Sequence, residues 1–137
     1  MNPVEKDELM KMLDMAYAAM ERAYVPYSHF QVGACIKAGS GKYYCGCNIE
    51  NAAYTPTNCA ERTAIFQAVY QGERSFDAIA VACSGKKPAF PCGVCRQVLG
   101  EFCKPEMPVI CGDAAHQAVE TTLGALLPHS FGPEDLA

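Results

Sequence analysis

No stretch of this chain approaches the roughly 20 consecutive apolar residues that a membrane helix needs, so a transmembrane protein is not expected. Basic residues are scarce. Eleven Lys and Arg against fifteen Asp and Glu leave a formal charge of −4 and a pI near 5.3. Polynucleotide binders draw much of their affinity from basic faces on phosphate, and here only Lys86-Lys87 cluster, so a polynucleotide partner is not expected. Residues 1–8 lack the basic start and apolar run of a secretory leader, which predicts a cytoplasmic chain. Repeats, low-complexity tracts and linkers are also missing. The 137 residues therefore read as one domain spanning 1–137, with a core of ordinary size.

What the chain does have is apolar residues, 50% of the total, and nine cysteines. In a cytoplasmic setting these read as reduced thiols rather than disulfides. Leu9, Leu13, Ala16, Tyr17, Met20 and Tyr24 recur at helical spacing, predicting a helix over 4–23 that stops before Pro26. A strand over 30–38, a turn at Gly39-Ser40-Gly41 and a strand over 42–48 make a hairpin. The next helix spans 58–70, with apolar residues all round, as in a helix buried at the centre of a domain. A strand over 78–83, a loop over 86–91, a helix over 92–102, strands over 108–111 and 117–121 and a short helix over 123–127 complete the chain. Strands alternating with helices predict a mixed α/β sheet covered on both faces.

Cys59 stands two residues before Glu61, and 32 residues separate Cys59 from the Cys92-Gly93-Val94-Cys95 run. These are three thiols at zinc-ligand spacing, and only three. Structural zinc takes four protein ligands, whereas catalytic zinc keeps three and leaves one position to water. A glutamate beside that water is placed to move its protons. Each thiol group falls at a predicted helix start, where exposed N–H groups and the helix dipole favour thiolates. Arg62, three residues after Cys59, is placed to donate to the sulfurs and offset their charge.

Competing readings exist for each residue. Asn58 and Glu61 have capping-box spacing, Arg62 could be an ordinary surface cation, and Cys92/Cys95 alone could be a redox dithiol. Three thiols awaiting a fourth ligand favour catalysis, and a redox pair leaves Cys59 and Glu61 without a role. The other six cysteines read as small buried core residues. Cys45 and Cys47 fall on one side of a strand. His29, His116 and His129 lie outside the ligand pattern.

At these residues the chain resembles the small zinc-dependent cytidine deaminases that act on free nucleosides. The resemblance is carried by Pro26-Tyr27-Ser28-His29-Phe30-Gln31-Val32-Gly33-Ala34, by Asn48-Ile49-Glu50-Asn51-Ala52-Ala53-Tyr54 and by Cys59-Ala60-Glu61-Arg62. Further on it is carried by Pro91-Cys92-Gly93-Val94-Cys95-Arg96-Gln97 and Leu126-Leu127-Pro128-His129-Ser130-Phe131, covering most of the chain from Pro26 to Leu136. It implies a three-layer α/β/α sandwich around a five-stranded mixed sheet, assembled as a homotetramer with active sites shared between subunits, and one Zn²⁺ per subunit. It implies that Cys59, Cys92 and Cys95 hold the zinc and that Glu61 shuttles protons. Asn48 and Glu50 would hold the ribose hydroxyls, Phe30 would pack on the nucleoside, and backbone groups near Ala60 would orient the base. Phe131 would reach a neighbouring subunit's site, and Tyr54 would lie near a shared one.

An amide and a carboxylate two apart on one strand point the same way and suit a pair of sugar hydroxyls. The carboxylate also disfavours a phosphate, and hence a nucleotide. The expected reaction is hydrolysis of cytidine and deoxycytidine to uridine and deoxyuridine with release of ammonia, as in pyrimidine salvage. A deaminase for another aminopyrimidine nucleoside, such as a nucleoside antibiotic, is the nearest rival. A non-catalytic zinc-binding module, which requires a fourth protein ligand, is the rival from another class.

Overall fold

A computed structural model describes residues 1–137. In chain order the elements are α1 (Lys6–Met20), β1 (Val32–Ala38), β2 (Tyr43–Cys47), α2 (Ala60–Tyr70), β3 (Phe76–Cys83), α3 (Gly93–Phe102), β4 (Pro108–Gly112), β5 (Ala118–Thr122) and α4 (Leu123–Leu126), with a closing 3-10 turn at Pro133–Asp135. The strands form one sheet in the order β2-β1-β3-β4-β5. The β3–β4 pair is parallel and the other three pairs are antiparallel. This is the five-stranded mixed sheet expected.

Strand β3 is buried along its whole length, and its residues determine what lies on each face. Ala78, Ala80 and Ala82 alternate to one side and, with Cys35 and Ile110, receive Leu9, Met12, Leu13 and Ala16 of α1. The missing side-chain bulk lets that helix lie close. Ile79 and Val81 alternate to the other side, where Ala60, Ala64, Ile65 and Ala68 of α2 and Leu99 of α3 pack with Val109 and Cys111. The result is three layers, with α1 alone on one face and α2, α3 and α4 on the other.

Two glycines let the hairpin fit between the helices. A Cβ on Gly33 would run into the backbone of Ala16 and Met20 in α1. A Cβ on Gly46 would run into the Ala64 N–H, the Ala60 carbonyl and Thr63 in α2. Gly46→Ala must push β2 away from the helix that carries Glu61. It is expected to cost about 1–3 kcal/mol, as overpacking does, read as a lower urea midpoint with unchanged far-ultraviolet circular dichroism.

The structure corrects four expectations. The first helix ends at Met20 rather than near residue 23, because Glu21, Arg22 and Ala23 close i→i−3 bonds onto Ala18, Ala19 and Met20. Tyr24 then leaves the helix and bridges Ile49. Helix α2 is not enclosed all round. It lies on one sheet face, so Phe66, 48% exposed, points away from the core. Of the six remaining cysteines, Cys35, Cys83, Cys103 and Cys111 are buried, but Cys45 and Cys47 are half-buried on the edge strand. Finally, Asn48 and Glu50 do not share a strand, since β2 ends at Cys47. The Asn48 side chain itself caps the ladder, accepting from Val32 N at 2.9 Å and donating to Phe30 O at 2.8 Å.

Candidate metal centre and active site

Helix α3 is the crossover between parallel β3 and β4, which stands its N-terminus above the C-terminal end of β3. Cys92 is the N-cap residue of α3 and Cys59 that of α2, both in extended conformation with no side-chain cap. Their side chains are thus free to project off the helix ends, while Cys95 sits buried in the first turn of α3. Cys59 Sγ and Cys92 Sγ are 3.8 Å apart, and all three sulfurs lie within 4.8 Å of one another. A four-coordinate zinc about 2.3 Å from each sulfur sets the sulfurs about 3.8 Å apart. The trio fits that ion in both donor type and spacing. No histidine, aspartate, glutamate or further cysteine joins the group, so a closed four-residue structural site is not formed.

Arg62 reaches two of the ligands, donating from Nη2 to Cys59 Sγ at 3.2 Å and from Nε to Cys95 Sγ at 3.4 Å. Burial works against the guanidinium charge, and the sulfur contacts outweigh it. The neighbouring Cys95 thiol, then the Arg62 donors, lower the Cys59 thiol to about 5 against the opposing effect of burial. The same contact raises Cys95.

Glu61 is only 4% exposed. Burial, reinforced by the Cys59 charge, lifts its carboxyl to about 7, with its own backbone N–H and Arg62 pulling the other way. The capping-box alternative is not realised, because the helix starts one residue late for it. Cys59 is the cap, and Asn58 Nδ2 instead donates to Thr63 Oγ1 at 3.0 Å.

Glu61, Cys59 and Cys92 line a cavity of about 200 Å³ together with Phe30, Asn48 and Ala60. Val32, Val81, Ala89 and Phe90 complete its walls. The sequence reading did not single these out. Val32 and Val81 are ordinary apolar strand residues with no local sign of a binding role, whereas Ala89 and Phe90 lie in the loop that immediately precedes the Pro91-Cys92 motif. Arg96 is another residue it left without a role. It donates to Pro91 O at 2.6 Å and to Leu126 O at 2.8 Å, tying the cysteine loop to α4.

The structure does not bring the remaining expected residues to this cavity. The Glu50 carboxylate accepts from the backbone N–H groups of Tyr27 and Ser28, at 3.0 and 3.1 Å, and from the Ser28 hydroxyl. It faces a neighbouring hollow lined by Tyr27, Ser28, Asn51, Tyr54 and Thr57. Tyr54, 74% exposed with a left-handed φ of 62°, meets Tyr27 edge-on. Phe131, 58% exposed, is held by its carbonyl, which accepts from Gln97 Nε2 at 2.9 Å. His29, His116 and His129 all adopt left-handed backbone, which histidine tolerates better than most residues. None joins the metal trio.

Comparison with known proteins bears directly on this arrangement. The family model for the cytidine and deoxycytidylate deaminase zinc-binding region matches residues 6–111. A cytidine deaminase of Sporosarcina psychrophila is 51% identical over 130 residues, covering 95% of this chain and 96% of the relative. One from Halalkalibacterium halodurans is 47% identical, with 91% and 95% covered. Among solved structures, a cytidine deaminase from Burkholderia pseudomallei superposes with a TM-score of 0.85 at 45% identity, covering 89% of this chain and 98% of that one. A Mycobacterium tuberculosis cytidine deaminase gives 0.77 at 35%, with 90% and 96% covered.

Proposed function

The chain belongs to the zinc-binding cytidine and deoxycytidylate deaminase family, and from that membership we propose that it hydrolyses cytidine and deoxycytidine to uridine, deoxyuridine and ammonia, with Glu61 as the proton carrier. The observation that carries this reading is a single cavity whose wall holds both zinc-compatible sulfurs and a buried carboxyl near neutrality. Cys59, Cys92 and Cys95 would hold the zinc, which when bound would supply the Lewis acidity that lowers the pKa of a water to about 7.

Glu61 takes the proton of the attacking water and delivers it to ring N3, which makes C4 more electrophilic. Glu61 then carries a proton to the departing C4 amino group. A carboxyl held near 7 by burial can accept and return a proton with little driving force lost in either direction. Phe30 offers an apolar face to the nucleoside, and backbone groups at Ala60 orient the base. Asn48 and Glu50 serve the ribose. Asn48 lines the cavity already, and Glu50 stands on the adjoining hollow, where Ser28 holds its carboxylate.

Arg62 has the task of keeping a trio of thiolates from quenching the ion's acidity. Arg62→Gln is expected to lower zinc affinity or turnover by about 10–100-fold, the range for partners of metal ligands. Zinc competition titrations and steady-state rates measure the two effects separately.

The exposed Tyr54 and Phe131 support a homotetramer in which these rings complete a neighbouring subunit's site. Light scattering on a sizing column reads the subunit number. We infer also that residues 1–137 fold as one domain, since one sheet uses strands from both halves of the chain. No helix is long and apolar enough to cross a membrane. A free nucleoside substrate and nine unpaired cysteines favour the cytoplasm.

The deciding experiment follows the ultraviolet change from cytidine to uridine, with and without a chelator, across a panel including deoxycytidine, cytidine monophosphate and other aminopyrimidine nucleosides. Chelator-sensitive turnover of the free nucleosides is expected. Preference for the monophosphate, or for a nucleoside outside the cytidine pair, would overturn the substrate assignment.

A further inference from the structure

On the opposite side of the sheet from the metal centre, Cys35 and Cys45 are register partners across the β1–β2 hairpin. The phase of the ladder determines what kind of pair they form. Asn48 N donates to Val32 O at 3.2 Å and Ala38 N donates to Lys42 O at 2.9 Å. Backbone bonds thus fall at the 32/48 and 38/42 pairs, and by alternation at the even positions of β1. Cys35–Cys45 is therefore a non-hydrogen-bonded pair, in which Cα atoms come to about 4.5 Å and side chains approach most closely. That spacing lies inside the roughly 4.4–6.8 Å range that a disulfide accepts.

The surroundings of the two sulfurs differ. Cys35 is fully enclosed, with its Sγ 3.9 Å from Met15 Sδ. Cys45 is half-buried and lines a solvent-open groove of about 550 Å³ with Met15, Ala18, Arg22 and Cys47. One thiol can thus meet a small solute while the other waits behind it. The facing Cys35 thiol also lowers the Cys45 thiol to about 7 against burial, and burial holds Cys47 up. The residue opposite Cys47 is Gly33, so Cys47 has no thiol facing it.

We propose that Cys35 and Cys45 form a reversible dithiol–disulfide site, oxidised by a peroxide and separate from the zinc ligands. The Cys45 thiolate attacks one peroxide oxygen. The O–O bond breaks, leaving a sulfenic acid on Cys45 and, after protonation, one water. The Cys35 sulfur then attacks the Cys45 sulfur. The S–O bond breaks, the S–S bond forms, and a second water leaves with the Cys35 proton. Two thiols together lose two electrons and two protons, and one hydrogen peroxide becomes two waters. A small dithiol reverses the step by exchange.

The test treats the zinc-loaded full chain with hydrogen peroxide, alkylates the remaining thiols and maps peptides without reduction. The expected result is one crosslinked peptide pair joining Cys35 to Cys45, a loss of two from the nine thiols, and full recovery with dithiothreitol. The oxidised protein should melt a few degrees higher, because the crosslink restricts the unfolded chain. In Cys45→Ser, a change at a half-exposed position outside the catalytic machinery, the thiol loss and the melting shift should both vanish while deaminase turnover stays at the wild-type rate. A sulfinic acid on Cys45 without a crosslink, a crosslink to Cys47 or to a zinc ligand, or the same thiol loss in Cys45→Ser would each overturn the proposal.

Discussion

Glu61→Gln is expected to lower cytidine turnover by about 10²–10⁴-fold, the usual contribution of a positioned general acid–base group, while the protein keeps its zinc and its fold. At roughly 1.36 kcal/mol per decade this is about 3–5 kcal/mol of barrier. Glutamine fills nearly the same volume, so the packing around a side chain that is 4% exposed is preserved. The sulfurs and their Arg62 donors do not involve the Glu61 carboxylate, so metal content should not change. What disappears is the one carboxyl on the cavity wall, the group assigned to take the proton and give it back. Metal analysis alongside steady-state rates decides the matter. A fully zinc-loaded variant turning over within a few-fold of wild type removes Glu61 from the mechanism.

The same variant has a second readout in stability. Burial raises the Glu61 carboxyl from the usual 4.5 to about 7, so the folded protein binds this proton more tightly than the unfolded chain does. The resulting stabilisation is complete below about pH 4.5 and is lost as pH climbs to about 7. Cys59, lowered to about 5, works in the opposite sense between about pH 5 and its ordinary value near 9. The wild-type profile alone therefore blends two slopes. Subtracting the Glu61→Gln profile, measured on metal-free samples of both proteins, reads the carboxyl together with its coupling to Cys59. The wild type's advantage should fall steadily across pH 4.5 to 7.

The metal centre could be read from the sequence because its signals are local. Cys59 and Cys92 stand where two helices begin, and each helix start is marked within a few residues by its own pattern. The parallel β3–α3–β4 unit then brings the two starts together. The ribose side was harder to read for the opposite reason. Asn48 and Glu50 have the spacing of strand neighbours, but β2 stops at Cys47 because the Asn48 amide bonds back to Val32 and Phe30, partners 16 and 18 residues away. Glu50 is likewise bound to Ser28, across 22 residues. Period-two reasoning does not encode such long-range side-chain contacts. The outward turn of Phe66 escaped for a related reason. An apolar residue on every side of α2 resembles full burial, and only the placement of the helix on one sheet face reveals which side is left over.

Cys95→Ala is expected to be more damaging to catalysis than any change at Glu61. Cys95 is the buried member of the trio, and its sulfur is also one of the two that receive Arg62. Removing it leaves two sulfurs, fewer than the three protein ligands of ordinary catalytic zinc sites, and frees the guanidinium from half of its anchorage. Without an ion, water at the site would keep its ordinary, far weaker acidity, so hydroxide at neutral pH becomes scarcer by many decades. Glu61 has no comparable means of making up that loss. Turnover should fall below detection, and zinc content should drop from one per chain towards none.

The fold should nevertheless survive, unlike that of a small zinc finger, which unfolds without its metal. Sixteen buried residues pack on the α2–α3 side of the sheet and nine on the α1 side, and most of them never approach the sulfurs. Circular dichroism of the variant should therefore match wild type, with a lowered melting temperature. Chelated wild type should behave likewise and regain activity when zinc is restored, whereas Cys95→Ala should not. Retention of a full zinc equivalent by the variant would mean that the ion is held by residues other than this trio.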